Sequence, residues 1–327
     1  MSRDMPPLVV LAGDENALSI VRAAAGAAGP PVVVITHEDN GVYRSRVPFE
    51  RRPRPAEMTP ADHFAEQLLD RSDLRGGVLM PCGDEAIEFV IENRATLSER
   101  YVLDCHVPSL QRAMLDKAAT LDLARDAGIP CPAYRQVRDL DEVRDAARQF
   151  DYPVLLKPLH SHLFQRHFNT KLLVAHGADE LVALAAEPLG LGLEMMLTEF
   201  VPGPDTRLSS YYTHLNDAGE PLFHFTKRVI RRSQVNFGSG CYHETMWLPE
   251  TAELGLRFFR AIGFRGLGNV EFKLDVRDGK LKLIEVNARI TAANQILMSA
   301  GLDVAGLVYK RLLGLPTPPA DRRFEDG

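Results

Sequence analysis

No two of the four cysteines form a Cys-x-x-Cys pair; Cys82, Cys105, Cys131 and Cys241 are scattered over 327 residues. This spacing argues against a disulfide framework or a zinc knuckle and suits a reducing cytoplasm. Long apolar runs are also missing. Leu8 to Ala12 stops at Asp14-Glu15, too short for a signal peptide, and no segment reaches the length of a membrane span. Basic tracts are scarce and the net charge is −6, so a non-specific nucleic-acid footprint is not expected. The densest run, Arg51-Arg52-Pro53-Arg54, is short, broken by proline, and reads as a solvated loop. P-loop, His-Glu-x-x-His and Gly-x-Ser-x-Gly motifs are absent. The first strand–helix junction, Ala12-Gly13-Asp14-Glu15-Asn16, lacks the Gly-x-Gly-x-x-Gly turn that cradles a pyrophosphate, which disfavours a dinucleotide oxidoreductase. There is no internal repeat. What remains, 45% hydrophobic and 25% charged, is the composition of a soluble globular protein large enough for two domains, expected in the cytoplasm.

Residues 1–110 alternate short apolar runs with amphipathic stretches, the pattern of an α/β domain with a parallel sheet. Strands are expected at Leu8 to Leu11, Val32 to Ile35 and Val78 to Met80, and helices at Ala17 to Ala28, Asp62 to Leu69 and Asp84 to Asn93. From Leu115 the pattern changes. A helix through Asp116-Lys117 ends at Gly128, a left-handed stop. Tyr152 to Pro158 reads as a buried strand carrying Lys157, and Met195 to Val201 as a strand broken by Pro202-Gly203-Pro204. The proline-rich, charged tail 316–327 is expected to be mobile.

The most informative stretch is Gly266 to Ile290. Val270 to Val276 and Lys280 to Val286 read as two strands joined by a three-residue loop, Arg277-Asp278-Gly279, with Gly279 in the left-handed region. Such a loop pairs Val276 with Lys280 and sets Glu271 opposite Glu285 on one face; Asn287 shares that face at period two. Two carboxylates and an amide oxygen resist convergence in a buried site unless a hard cation lies between them. Scattered acids on an exposed strand pair are the alternative.

Glu271 followed by Glu285-Val286-Asn287-Ala288-Arg289 resembles the metal-binding strands of ATP-grasp ligases. The resemblance implies a Rossmann-like pre-ATP-grasp domain (1–110) followed by an ATP-grasp fold of two α+β subdomains (111–197 and 198–315), together mixing α/β and α+β architecture. It implies ATP and two Mg²⁺, with Mn²⁺ as a substitute, held by Glu271, Glu285 and Asn287. Arg289 would face an acylphosphate; as a rival role it would hold Glu285 in a buried ion pair. Asp116-Lys117, Gly128-Ile129-Pro130 and Lys157 recur in this order in the family, which makes Lys117 and Lys157 phosphate contacts. Thr198 to Asp205 resembles the adenine hinge: Glu199, Phe200 and Val201 would offer backbone groups and an apolar slot, and Asp205 would accept from the ribose hydroxyls. The stretch after Lys157, Leu159 to His167, departs from the family's small-residue flap. There the flap would be longer or mobile, or would help to recognise the acceptor, with Ser161 offering a backbone contact to phosphate; a metal site from His160, His162 and His167 is the alternative.

Lys227, Arg228, Arg231 and Arg232 suit anion recognition or a solvated strand edge. Of these, Arg228 is assigned to the nucleotide and Arg231 to catalysis. With Met80 to Glu85 and the Arg44-Ser45-Arg46 loop, they look most like carboxylate–amine ligases related to D-aspartate ligase. The implied reaction forms an amide from a small carboxylate and an amine through an acylphosphate. An ATP-grasp phosphotransferase, a carbamoyl-phosphate-type enzyme and a non-catalytic nucleotide-binding protein are the alternatives. Partners are small molecules, with no nucleic acid and no membrane, and a homodimer is compatible with the resemblance.

Overall fold

Apolar runs near the N-terminus form parallel strands β1 (Leu8–Leu11) and β2 (Val32–His37). The computed structural model describes residues 5–24, 29–160, 164, 167–168, 170–235, 237–319 and 324. The next strand, β3 (Glu50–Arg54), is the basic run expected as a loop; it pairs in parallel with β2 instead. Pro53 is tolerated because β3 is the edge of the sheet, where one side of the strand makes no ladder bonds. Arg52, nearly buried, is anchored by Glu50 and Asp73, a tertiary partnership that composition could not reveal. With β4 (Val78–Pro81) the order is β3-β2-β1-β4. Chain order reverses beside β1, so helices Glu15–Ala24 and Asp84–Glu92 start side by side at the carboxyl ends of β1 and β4. That is the place where open α/β sheets bind ligands. Gly13 permits the close approach of the two loops: its φ is +77°, and a Cβ there would lie 2.8 Å from Cys82 Cβ.

A second, antiparallel sheet has the order β5 (Tyr134–Val137), β8 (Met195–Glu199), β6 (Val154–Pro158), β7 (Leu173–Ala175). Helices Leu140–Ala147 and Ala178–Gly190 share its core. The helix Lys117–Asp126 leads into it. Asp116 caps that helix by accepting from Ala118 N and Ala119 N at 2.8 and 3.2 Å, and Gly128 follows its end at φ +65°. The third sheet joins β9 (Leu208–Leu215), β10 (Phe225–Arg232), β11 (Gly240–Thr245), β12 (Gly266–Leu274) and β13 (Leu281–Asn287), antiparallel in the order β11-β10-β9-β12-β13. Helix Pro249–Ala261 packs on β9. Helices Asn294–Ser299 and Val304–Leu312 return to the first sheet: Leu297, Val304 and Val308 share one core with Val10, Ile20 and Val34. In the tail, expected to be mobile, Phe324 packs on Phe225 with ring centroids 4.2 Å apart.

Candidate functional site

Strand register assembles the site. Across the third sheet one row runs Thr245, Lys227, Ser210, Glu271, Glu285. Paired residues share a face, so Lys227, Glu271 and Glu285 all point to the same side. The neighbouring row, two residues along, holds Tyr212, Asn269 and Asn287. Glu271 therefore faces Glu285, though by a different route from the expected one. The loop has four residues, Val276 to Gly279, closed by Asp275 N donating to Lys280 O at 2.9 Å, and Gly279 has φ +69°. A register shift after Glu271 pairs Phe272 with Leu283, leaving Ile284 as the extra residue that restores the Glu271–Glu285 pairing.

Burial pushes the Glu271 carboxyl up and Glu285 adds to the push, while Lys227, Arg232 and Lys171 oppose it. A buried acid facing a second acid, with an amide two residues on, is a donor set that fits a hard divalent cation. Around this pair the cations converge. Burial lowers the Lys157 ammonium to about 8, and Glu285 opposes that fall. Lys117 is lowered in the same way, and its Nζ donates to Leu159 O at 3.3 Å. Lys273 falls to about 8 through burial and Arg232; its ammonium lies 5.0 Å from the Phe200 ring centroid.

A cavity of about 370 Å³ lies between the second and third sheets. Lys117, Lys157, Glu199, Phe200, Val201, Glu285 and Arg289 line it, all of them sequence-derived candidates. Asn287 lines a small pocket of about 50 Å³ beside it, together with Lys117 and Glu285. A further cavity of about 400 Å³ lies at the carboxyl ends of β1 and β4. Asp84 and Arg289 line both large cavities, joined by an ion pair of 3.0 Å. Arg289 thus pairs with Asp84 of the first sheet's helix, and not with Glu285.

The chain matches the family model described as "Carbamoyl-phosphate synthase L chain, ATP binding domain" over residues 250–315. It is 24% identical to D-aspartate ligase of Enterococcus faecium over 74% of this chain and 60% of that protein. It is 25% identical to D-alanine–D-alanine ligase of Delftia acidovorans over 61% and 62%. The chain therefore spans less than two thirds of the length of these curated relatives. Biotin carboxylase of Campylobacter jejuni superposes with a TM-score of 0.73 at 16% identity, covering 97% of this chain and 72% of the other. L-amino acid ligase of Bacillus licheniformis gives 0.68 at 17%, covering 95% and 75%. The chain has the ATP-grasp fold of these structures.

Within this fold three assignments need correction. Arg228 points to the opposite face of β10, paired with Glu244 at 2.7 Å, and lines a separate cavity behind the sheet. Arg231 is exposed. Register shifts on either side of it bring Arg232 to the 370 Å³ cavity in its place. Asp205, nearly buried, does not line the cavity; it pairs with Arg232 at 3.1 Å and so positions that guanidinium. Glu199 lines the cavity, but its carboxylate is held by Arg277, Lys282 and the Ala133 N–H, which leaves the backbone of Glu199 to Val201 as the recognition surface. Ser161 and His162 fall outside the described residues; His160 pairs with Glu194 at 3.5 Å.

The candidate site also holds residues that received no site role from the sequence. Lys227 is 1% exposed; its Nζ lies 3.1 Å from His243 Nδ1 and 5.8 Å from the Tyr212 ring centroid. Lys171, Lys273 and Arg232 join the cavity wall. Only Lys227 and Arg232 carried a signal, as part of the basic run on β10 from which Arg228 and Arg231 were assigned, and the bulge hid Arg232.

Proposed function

We propose that this chain is an ATP-dependent carboxylate–amine ligase. The observation that carries the reading is the arrangement of two cavities sharing one guanidinium: a cation-lined cavity below the Glu271–Glu285 pair, and a second cavity at the switch point of the first sheet. The first suits a nucleotide. Phe200 and Val201 offer the adenine slot, Val201 N has no partner among the described residues, and Lys117, Lys157, Lys273 and Arg232 face the phosphates. Magnesium, held by Glu271, Glu285 and Asn287, would neutralise charge on those phosphates. The second cavity takes the carboxylate substrate, with its acid group toward Arg289. Arg289 would steady the charge that develops on the transferring phosphoryl oxygens, while Asp84 sets its direction. Residues 1–110 form the substrate-side unit of this arrangement and 111–315 the nucleotide side.

A panel of amino acids and small acids, offered with Mg-ATP and an amine, tests the reading. ADP release is expected to need both a carboxylate and an amine, with an amide product seen by mass. Full ADP release with an alcohol or with bicarbonate alone would favour the phosphotransferase or carbamoyl-phosphate alternatives. ATP binding without turnover on any pair would leave a non-catalytic nucleotide-binding protein.

The pH dependence of nucleotide binding has a definite sign. Lys157 and Lys273 are lowered to about 8, so both are charged below that pH and become neutral above it. Phosphate binding requires the charged forms, so Mg-ADP affinity is expected to hold up to about pH 7.5 and to fall as pH rises through 8. Each lysine contributes at most roughly tenfold per pH unit above its pKa. In Lys157→Arg the slope should flatten, because a guanidinium stays charged. Calorimetry in buffers from pH 6.5 to 9.5 reads this directly; a flat wild-type profile contradicts the two-lysine account.

A further inference from the structure

The segment after the helix Arg94–Ser98 carries Asp104, Cys105 and His106 in succession, beside His214 and Leu267, two rows along the third sheet from the row that ends in Glu285. Asp104 Oδ1 lies 2.9 Å from His214 Nε2 on β9, and Asp104 Oδ2 lies 3.5 Å from His106 Nδ1. The donor atoms of Asp104, Cys105 and His214 all fall within 4.8 Å of one another. His214 is 1% exposed and His106 7% exposed, whereas Cys105 keeps partial contact with solvent. Cys105 N and Leu267 N also donate to Asp104, and Cys105 Sγ lies 3.4 Å from Leu215 O.

Hydrogen-bond bookkeeping shows what this cluster lacks. His106 Nε2 lies 2.9 Å from Leu267 O, so that nitrogen carries the proton. In the neutral ring the lone pair of Nδ1 then faces a carboxylate oxygen 3.5 Å away. His214 Nε2 donates to Asp104 Oδ1 at 2.9 Å in the metal-free protein, and His214 Nδ1 is buried with no partner among the described residues, so a metal at Nε2 would take the place of that proton. Asp104 brings a negative charge into this group, and burial pushes the His106 imidazole down. A carboxylate, a thiol and an imidazole nitrogen therefore meet within 4.8 Å of one another, bridged in the metal-free protein by the His214 N–H. Neighbouring donors around a tetrahedral zinc-type ion stand roughly 3 to 4 Å apart, so a contraction of about 1 Å at most would close this group on an ion.

We propose that Asp104, Cys105 and His214 bind one divalent transition metal of the zinc class, with a solvent molecule in the fourth position. Sulfur and imidazole select against magnesium, so this site is chemically separate from the Glu271–Glu285 pair. The metal binds with loss of the Cys105 thiol proton and changes no oxidation state. It ties the 102–107 segment to β9 and β12, where the first and third sheets meet. Scattered cysteines in the sequence argued against a zinc site because only one of its donors is a cysteine.

Cobalt(II) titration of the full chain, without nucleotide, tests the proposal. A thiolate-to-cobalt charge-transfer band is expected to saturate at one equivalent, to vanish in Cys105→Ser and to persist in Cys241→Ser. Zinc should raise the melting temperature of the wild type and of Cys241→Ser, and of Cys105→Ser by less. The absence of the band in the wild type overturns the proposal and leaves a hydrogen-bonded clamp. So does a band that survives in Cys105→Ser. Should Cys105→Ser fail to fold, the wild-type band and its stoichiometry decide alone.

Discussion

Glu285→Gln is expected to lower kcat about a thousandfold while the melting temperature stays at or above that of the wild type. The two halves of this result come from one contact. Glu285 stands opposite Glu271 on paired strands, and burial together with the Glu285 charge raises the cost of ionising Glu271. With a cation between them the repulsion becomes ligation, so removing one charge removes a fixed electrostatic partner of the reacting phosphates. Loss of one such group costs on the order of 3 to 4 kcal/mol in the transition state. In the cation-free protein the same change relieves like-charge repulsion and leaves shape and hydrogen-bonding capacity almost intact. Steady-state ADP release and thermal melting read the two effects independently. Turnover near the wild-type rate would remove Glu285 from the metal assignment, and a large drop in melting temperature would make it a structural residue.

Lys227→Met should reduce kcat/KM about a hundredfold, again without loss of stability. Lys227 is buried, and desolvation pushes its ammonium down while Glu271 holds it up. Methionine fills similar space without the cost of burying a charge, so the fold should tolerate it. What is lost is the cation beside Glu271, worth roughly 1.5 to 3 kcal/mol for a charge-assisted contact. The variant carries a further signature. Lys227 is the main group that opposes the rise of the Glu271 carboxyl. Without it Glu271 stays protonated to higher pH, so the acid limb of the activity profile should move upward. A fall in rate with an unmoved acid limb would mean that Lys227 acts elsewhere.

Much of this site could be read from the chain because it rests on short-range rules. Period-two alternation placed Glu271, Glu285 and Asn287 together, and a buried strand placed Lys157. The facing of the two acids was nevertheless reached through two compensating differences. The hairpin loop is one residue longer than expected, and the bulge at Ile284 adds one residue to β13. Where alternation is interrupted, inference fails in a definite direction: Arg231 was chosen and Arg232 fills the position. Arg228 and Asp205 were misplaced because each has a tertiary partner, Glu244 and Arg232, contributed by another part of the chain. The edge strand β3 escaped notice because its burial depends on Asp73 and on the neighbouring β2, not on its own composition. Lys273 and Lys171 reach the cavity only once the second and third sheets are packed face to face.

The Asp84–Arg289 contact bears on the order of events. One guanidinium forms part of the wall of both large cavities, and its only carboxylate partner among the described residues stands on a helix of the opposite sheet. An incoming acid group that reaches for Arg289 must compete with Asp84, and a phosphate on the other side meets the same arginine. The two chambers are therefore not independent vessels: filling either alters the welcome that the other can offer, through a single side chain and without any movement of the sheets.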